Sequence, residues 1–450
     1  MVDLSVNYCG LKFKNPIICA SSPATHTPEA CQKVFEAGFA GVVLKTNPRD
    51  PTGMEEKMVS RPAYRLGDWR GQGRWKPIPP KASDPRKGKK LGIKKPPYTF
   101  FLTTPGANAF FREEKYLDYI KRAKDLGGDD FRVIASITGN SEKRWKEQCE
   151  LINRSEADLV ELNLSDPGLV RMWSMEGFSG IKPDQPSPAI PEIAEKVCKL
   201  CTDILEIPSA AKLHLQIPSP SLAAKACERS GVSGLVFANS SLRPGLRIDI
   251  ETGEVGLPGF PCFQGVWGPW VALLISGNIA NFRINGLKLD ISGCGGIIEP
   301  EDVIRFIMAG ANTVQIARTV MIEGWGIATE FLDFIQEWME KKGYKNFDEI
   351  KGIAVDKVVT DCNQFKSGIP QIMGGPLPTQ KIKVDEKKCI TCGWCEAACM
   401  YLAIEIKKEY PEIDPTLCEV CGMCEAICPM RAISIIEAPK DSRYINCLSS

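Results

Sequence analysis

Histidine is nearly absent from this chain of 450 residues: only His26 and His214 occur. Imidazole acid–base chemistry is therefore confined to two positions. Neither sign of charge is in excess. With 56 basic against 55 acidic residues and a net charge of +1, nucleic acid is not expected as a partner. No apolar run reaches the length that spans a bilayer. The opening residues, MVDLSVNYCGLKFKN, lack the basic-then-apolar pattern of a secretory leader. No Gly-x-Gly-x-x-Gly follows a first strand and no second nucleotide fingerprint occurs, so no resident NAD(P) or FAD module is expected. These absences point to a cytoplasmic protein with no membrane partner.

Cysteine is plentiful instead, at 19 residues. Eight of them form two copies of one pattern, Cys389-x-x-Cys392-x-x-Cys395-x-x-x-Cys399 and Cys418-x-x-Cys421-x-x-Cys424-x-x-x-Cys428. The text around them repeats too: CITCGWCEAACMYLAIEI lies over CEVCGMCEAICPMRAISI at an offset of 29 residues. Three thiolates so closely spaced grip three corners of a cubane, and the fourth ligand comes from the other half. The spacing predicts one 4Fe–4S cluster on Cys389, Cys392, Cys395 and Cys428, and a second on Cys418, Cys421, Cys424 and Cys399. Two zinc sites or free cysteines are the alternatives, but zinc ligands usually come in pairs separated by a longer loop. Cys19, Cys31, Cys198 and Cys227 sit inside apolar runs and read as buried, reduced thiols.

Short apolar runs alternate with amphipathic stretches from residue 1 to about 345. The strand candidates are 16–20, 41–45, 132–137, 159–163, 211–213, 235–239, 289–292 and 313–317, with helices such as 28–37, 142–153, 191–205, 222–230 and 301–309 between them. Eight near-continuous apolar strands in such units predict a parallel (β/α)8 barrel rather than an open sheet. The predicted organisation is a barrel over 1–345 with a Pro/Gly-rich basic insertion at about 47–105. A linker over 346–384, a ferredoxin-like α+β domain over 385–440 and a tail over 441–450 follow.

In such barrels chemistry gathers at the C-terminal ends of the strands. Lys45, Asn163, Lys212 and Asn239 stand there. The seventh strand runs into Ser292-Gly-Cys-Gly-Gly296 ahead of a helix opening at Glu299-Pro300. A glycine turn at that place offers backbone amides to a phosphate. Two lysines and two asparagines around the mouth suit a flavin mononucleotide, since a cation beside the N1/O2 edge stabilises the reduced ring.

The segments NPIICASSP, VVLKTN, VIASITGNS, VELNLSDPG, AKLHL, LVFANSSL, SGCGGI and VQIARTVM follow one another in this order. With them the chain resembles the dihydroorotate dehydrogenase superfamily, and within it the flavin and iron–sulfur part of dihydropyrimidine dehydrogenases, over nearly its whole length. The resemblance implies FMN contacts at Ala20, Ser21, Lys45, Thr46, Asn108, Asn163, Lys212, Asn239, Ser240, Gly265, Gly295, Gly296, Ala317 and Arg318. It implies substrate contacts at Asn108, Asn163, Asn239 and Ser240. The reaction class it implies interconverts a C–C bond and a C=C bond conjugated to a carbonyl.

One position departs from the family. In VELNLSDPG, Asp166 stands where the family carries a cysteine or serine for proton transfer. A carboxyl group titrates near pH 4 unless burial raises it, and Asp-Pro also starts turns, so both roles stay open. His26 and His214 lie on loops of the same mouth and are the other candidates for the proton. The insertion carries WRGQGRW and KASDPRKGKKLGIKKPP. It reads as a lid for an anionic substrate, as a docking surface for a partner or the chain's own ferredoxin module, or as a solvated loop. Segment 168–188, GLVRMWSMEGFSGIKPDQPSP, reads as an apolar pocket wall or as local packing.

The expected function is an FMN- and iron–sulfur-dependent oxidoreductase acting on an activated C=C bond. Its partners would be a small, in part anionic substrate and an electron-transfer protein (an NAD(P)/FAD subunit or a ferredoxin), within a homo- or hetero-oligomer. A pyrimidine dehydrogenase subunit with a substituted acid, and a flavin relay without chemistry of its own, are the alternatives.

Overall fold

The computed structural model describes residues 2–47, 64–67, 100–103, 113–139, 141–164, 190–217, 219–239, 242–246, 248–255, 264–358, 380–407 and 410–437. It divides into two units, Met1–Lys357 and Val358–Ser450.

A hairpin of β1 (Val6–Tyr8) and β2 (Leu11–Phe13) opens the first unit. Then come β3 (Ile17–Cys19), β4 (Gly41–Val43), β5 (Tyr64–Gly67), β6 (Phe100–Thr103), β7 (Arg132–Ile137), β8 (Leu159–Asn163), β9 (Ser209–His214) and β10 (Gly234–Asn239). After these follow β11 (Leu242–Gly245), β12 (Gln264–Trp267), β13 (Asp290–Cys294) and β14 (Thr313–Ile316). Strands β3, β4, β7, β8, β9, β10, β13 and β14 pair in that order, and β14 returns to β3 to close an eight-stranded barrel. All eight pairings are parallel. Both faces of these strands are buried, which is why their sequences run apolar without alternation.

The helices between them follow from local chemistry. Helix Pro28–Glu36 starts on Thr27, whose hydroxyl accepts from the Ala30 amide at 3.2 Å, with proline in its first turn. Helix Glu142–Asn153 starts on Ser141 in the same way and buries Trp145, Gln148, Cys149 and Ile152 at helical spacing. Burying each large apolar side chain contributes roughly 1.5–3 kcal/mol.

The floor of the barrel is the β1–β2 hairpin. Tyr8 and Phe13 pack with the inward residues Ile18, Val43, Ile134, Leu159 and Val236. The Cys9 amide donates to Asp290 at 2.8 Å. Gly234 makes room for this plug, because a Cβ there would lie 2.4 Å from the Cys9 sulfur.

At the other end, β5 and β6 from the basic insertion join β11 and β12 in a four-stranded antiparallel sheet. No strand was expected in this insertion from the sequence. Its strands are only four residues long, and β6 finds β12 across more than a hundred residues of sequence, so no local period betrays them.

The linker boundaries also shift. The Gly352 and Ala354 amides donate to carbonyls of Ile307 and Met308, so the residues after 345 belong with the barrel. At the other end β15 (Gln380–Val384) pairs with β18 (Ile433–Glu437) in the second unit, where β16 (Ile404–Lys407) and β17 (Tyr410–Ile413) form a hairpin. Two short helices, Trp394–Ala397 and Met423–Ile427, and a core of Ile382, Cys395, Ile404, Val420, Cys424 and Ile433 complete it. Among the described residues no helix is long and apolar enough to cross a membrane.

Candidate active site and iron–sulfur cradles

The duplication seen in the sequence recurs in the backbone of the second unit. Thr391 and Val420, Gly393 and Gly422, and Leu402 and Arg431 are all left-handed, each pair 29 residues apart. The Ala403 amide lies 3.3 Å from the Cys399 sulfur, and the Ala432 amide 3.2 Å from the Cys428 sulfur. Cys389, Cys392, Cys395 and Cys428 ring one cavity of about 370 Å³, counted to its open mouth. Cys399, Cys418, Cys421 and Cys424 ring another of about 300 Å³. Each ring takes its fourth thiol from the other half, as the spacing requires. Among the described residues no three such side chains converge on a single-ion site. Thiols spread around a cavity, with amides aimed at the sulfurs, fit a cubane.

In the barrel, the inward side chains of β8, β9 and β14 make a closed polar ring. The Lys212 ammonium donates to Glu161 Oε1 at 2.9 Å and to Gln315 Oε1 at 3.2 Å, and the Gln315 amide donates to Glu161 Oε2 at 2.9 Å. Burial works against the charge on Lys212, but Glu161 overcomes it and holds its pKa above the ordinary lysine value. Lys45, two residues past β4, is 9% exposed and makes no ion pair or side-chain hydrogen bond among the described residues, Glu161 acting on it only at longer range. Burial, then Arg318 and Lys212, pull its pKa down to about 8.

Beside Lys45 a chain of hydroxyls links neighbouring strands. The Thr46 hydroxyl meets Ser136 at 2.9 Å and Ser21 at 3.3 Å, and receives the Asn163 amide at 3.4 Å. Ala20, at the end of β3, is buried and donates its amide to Ile316. His26 follows the short turn Pro23–Thr25, which Trp325 and Tyr119 brace by donating to Ala24 and Thr25 carbonyls. Burial, then Lys45 and Lys115, lower the His26 pKa, so it is neutral at pH 7. His214 is buried at the end of β9 in register with Asn239, and its Nδ1 accepts the Gln216 amide at 3.0 Å.

Past β13 and β14 a cleft of about 520 Å³, counted to its open mouth, is lined by Trp267, Cys294, Gly295, Gly296, Ala317 and Arg318, among others. The amides of Gly295 and Gly296 take no carbonyl partner among the described residues. Both glycines have φ above +70°, and a Cβ on Gly296 would lie 2.3 Å from the Ala272 nitrogen. The turn is therefore glycine by necessity. Helix Pro300–Met308 contributes less than its position promised, because the Ile298 and Glu299 amides already donate to Asp302. Arg318 stacks on the Trp267 ring at 4.4 Å, and the Trp267 indole nitrogen is buried without an acceptor.

The residues present fit FMN. Unanswered amides, a buried indole N–H and the Lys45 ammonium ask for an anion with polar oxygens, as phosphate and ribityl groups provide. Gly265 lies in β12, paired with Thr103 on the rim sheet. Asn108, Asp166 and Ser240, like segment 168–188, lie outside the described residues. Glu161, Gln315 and Trp267 were not read from the sequence. A carboxylate and an amide inside the apolar runs of β8 and β14 were the available signal, since neither belongs there without a partner.

Comparison with known proteins agrees with the geometry. Residues 104–339, more than half of the chain, match the model of the family described as dihydroorotate dehydrogenase. The chain belongs to the dihydroorotate dehydrogenase family. Residues 388–432 match a 4Fe-4S dicluster domain. The chain is 27% identical over 410 residues to the NAD-dependent dihydropyrimidine dehydrogenase subunit PreA of Escherichia coli, covering 88% of this chain and 85% of that protein. Catalytic subunits named dihydroorotate dehydrogenase B (NAD(+)) from Pyrococcus abyssi and Methanocaldococcus jannaschii are 28% and 26% identical. They cover 78% of this chain and 99% and 98% of their own lengths. The chain is thus a flavin-dependent oxidoreductase of the class acting on CH–CH groups, with FMN and two 4Fe–4S clusters as its cofactors.

Proposed function

We propose that the barrel reduces, or in reverse forms, a C=C bond conjugated to a carbonyl in a small, in part anionic substrate. Electrons are exchanged with a separate protein by way of the tail unit. The Lys45 ammonium carries this reading: buried beside Arg318 and Lys212, with Glu161 offsetting their repulsion only in part, it leaves a standing demand for negative charge at the barrel mouth.

When bound, FMN supplies hydride exchange at its N5 and takes electrons singly or in pairs. Lys212 holds a fixed positive charge for the reduced form, and Lys45 meets the anion. Asn163 and Asn239, at the ends of β8 and β10, orient the substrate carbonyl. Asp166 is the first candidate to hold the proton for the second carbon. If another group serves, His26 is better placed than His214, whose Nδ1 already accepts a backbone amide.

A second reading, a subunit of a pyrimidine dehydrogenase, is favoured by the names of the relatives, which are NAD-linked subunits acting on dihydropyrimidine or dihydroorotate. Both readings are tested by reducing the protein anaerobically and mixing it with enones, pyrimidines, quinones and aromatic acid thioesters. Reoxidation of the flavin by an enone or thioester but not by pyrimidines supports the first, and by pyrimidines the second. Reoxidation by none of them, with one-electron carriers still effective, leaves a relay and defeats both.

A further inference from the structure

The ring of Lys212, Glu161 and Gln315 contains more than the flavin reading uses. A buried ion pair returns little net stability, because desolvating both charges offsets their attraction. Yet Glu161 is 1% exposed, and both of its oxygens are engaged by side chains from elsewhere in the barrel. Gln315 reaches it from β14, on the far side of the barrel from the β8–β9 pair. Gln315 also accepts from Lys212, so the ammonium is held at two points. Lys45, at the same mouth, has neither arrangement.

We propose that Glu161 is the positioning residue of this site: braced by Gln315, it supplies the buried counter-charge that fixes the Lys212 ammonium under the flavin, leaving Lys45 as the lysine whose charge answers an incoming anion. The proposal rests on the flavin-facing reading of Lys212.

Lys212 is faced by Glu161 on β8, Cys294 on β13 and Lys45 beyond β4, while Arg318 beyond β14 acts on Lys45 and Cys294. Tyr8 of the floor hairpin and Tyr116 of helix Glu113–Lys124 feel Glu161 in turn. Burial pushes the Cys294 thiol and both phenols upward, so they stay protonated. Glu161 is then the one anion facing Lys212 among the described residues.

The test uses the full-length, flavin- and iron-loaded protein with 13C-labelled lysine side chains, the Lys212 signal being assigned with Lys212→Arg. In the unsubstituted protein that signal is expected to keep its ammonium position up to about pH 10. In Glu161→Gln it is expected to titrate below about pH 9, as buried lysines without a counter-ion do. The flavin absorption band of Glu161→Gln should gain an ionisation that is missing from the unsubstituted protein and lost again in Glu161→Gln/Lys212→Met.

A Lys212 signal that titrates below pH 9 in the unsubstituted protein overturns the proposal, and this reading does not require the variant to fold. An unchanged lysine titration in Glu161→Gln overturns it as well. A lysine that titrates as expected under a flavin band that does not respond removes the positioning role and, separately, the flavin-facing reading of Lys212.

Discussion

The tail unit and the barrel bind their cofactors by opposite means. In the tail, ligands lie three and four residues apart, and one duplicated segment builds both cradles with matched backbone angles and matched amide–sulfur contacts. In the barrel, each functional group stands on a different strand and is tuned by partners 51 to 154 residues away. Chemistry encoded by spacing survives in a short segment. Chemistry encoded by charge balance requires the whole barrel to be closed.

The largest effect is expected in the tail. Because each cradle takes its fourth thiol from the other half, Cys428→Ala should empty the cradle of Cys389, Cys392 and Cys395, and Cys399→Ala the other. Iron and labile sulfide should fall by half in either variant, and electron exchange with a partner should be lost. A Cys428→Ala protein that loses the cluster of its own half instead would break the crossed arrangement.

Next comes Asp166→Asn, which should slow turnover by about two orders of magnitude if that carboxyl holds the proton. An unchanged rate moves the role to His26.

The third effect is a pH dependence of flavin binding. Lys45 titrates at about 8 in the folded barrel, below its ordinary value of 10.5. Between these values the unfolded chain holds a proton that the flavin-free barrel has shed, so the stability of that form rises with pH across this window. Flavin binding runs the other way. An anion restores the proton, so FMN affinity should fall as pH rises above about 8, by up to about tenfold per pH unit. Equilibrium dialysis at a series of pH values reads this slope, and Lys45→Met should flatten it.

The smallest effect concerns His26. Its pKa is lowered by burial, Lys45 and Lys115. It therefore contributes stability that is present above its unfolded value and lost as pH falls below about 6.5. His26→Gln should lessen the fall in melting temperature between pH 7 and pH 5.5.

Much of the fold was legible because its signals are local. Strands β7 and β8 match the apolar runs 132–137 and 159–163 at both ends, and helix Glu142–Asn153 starts on the serine that caps it. The cluster ligands were legible for the same reason. What escaped depends on distance. The rim sheet joins short strands from two separate excursions, and neither strand pair reveals the other. Glu161 signals in VELN that it needs a partner, but not which, because Lys212 and Gln315 stand 51 and 154 residues away. The glycine turn ahead of Glu299-Pro300 was legible as a source of free amides, but not that Asp302 takes the amides of Ile298 and Glu299 beside it.

The most direct measurement is an anaerobic reductive titration of the fully loaded chain, followed in the flavin band near 450 nm and by the signal of reduced clusters. A chain that unites both cofactor systems should take up about four electron equivalents, two at the flavin and one at each cluster. Uptake of two with no iron signal, or of two with no change in a flavin band, would contradict that union.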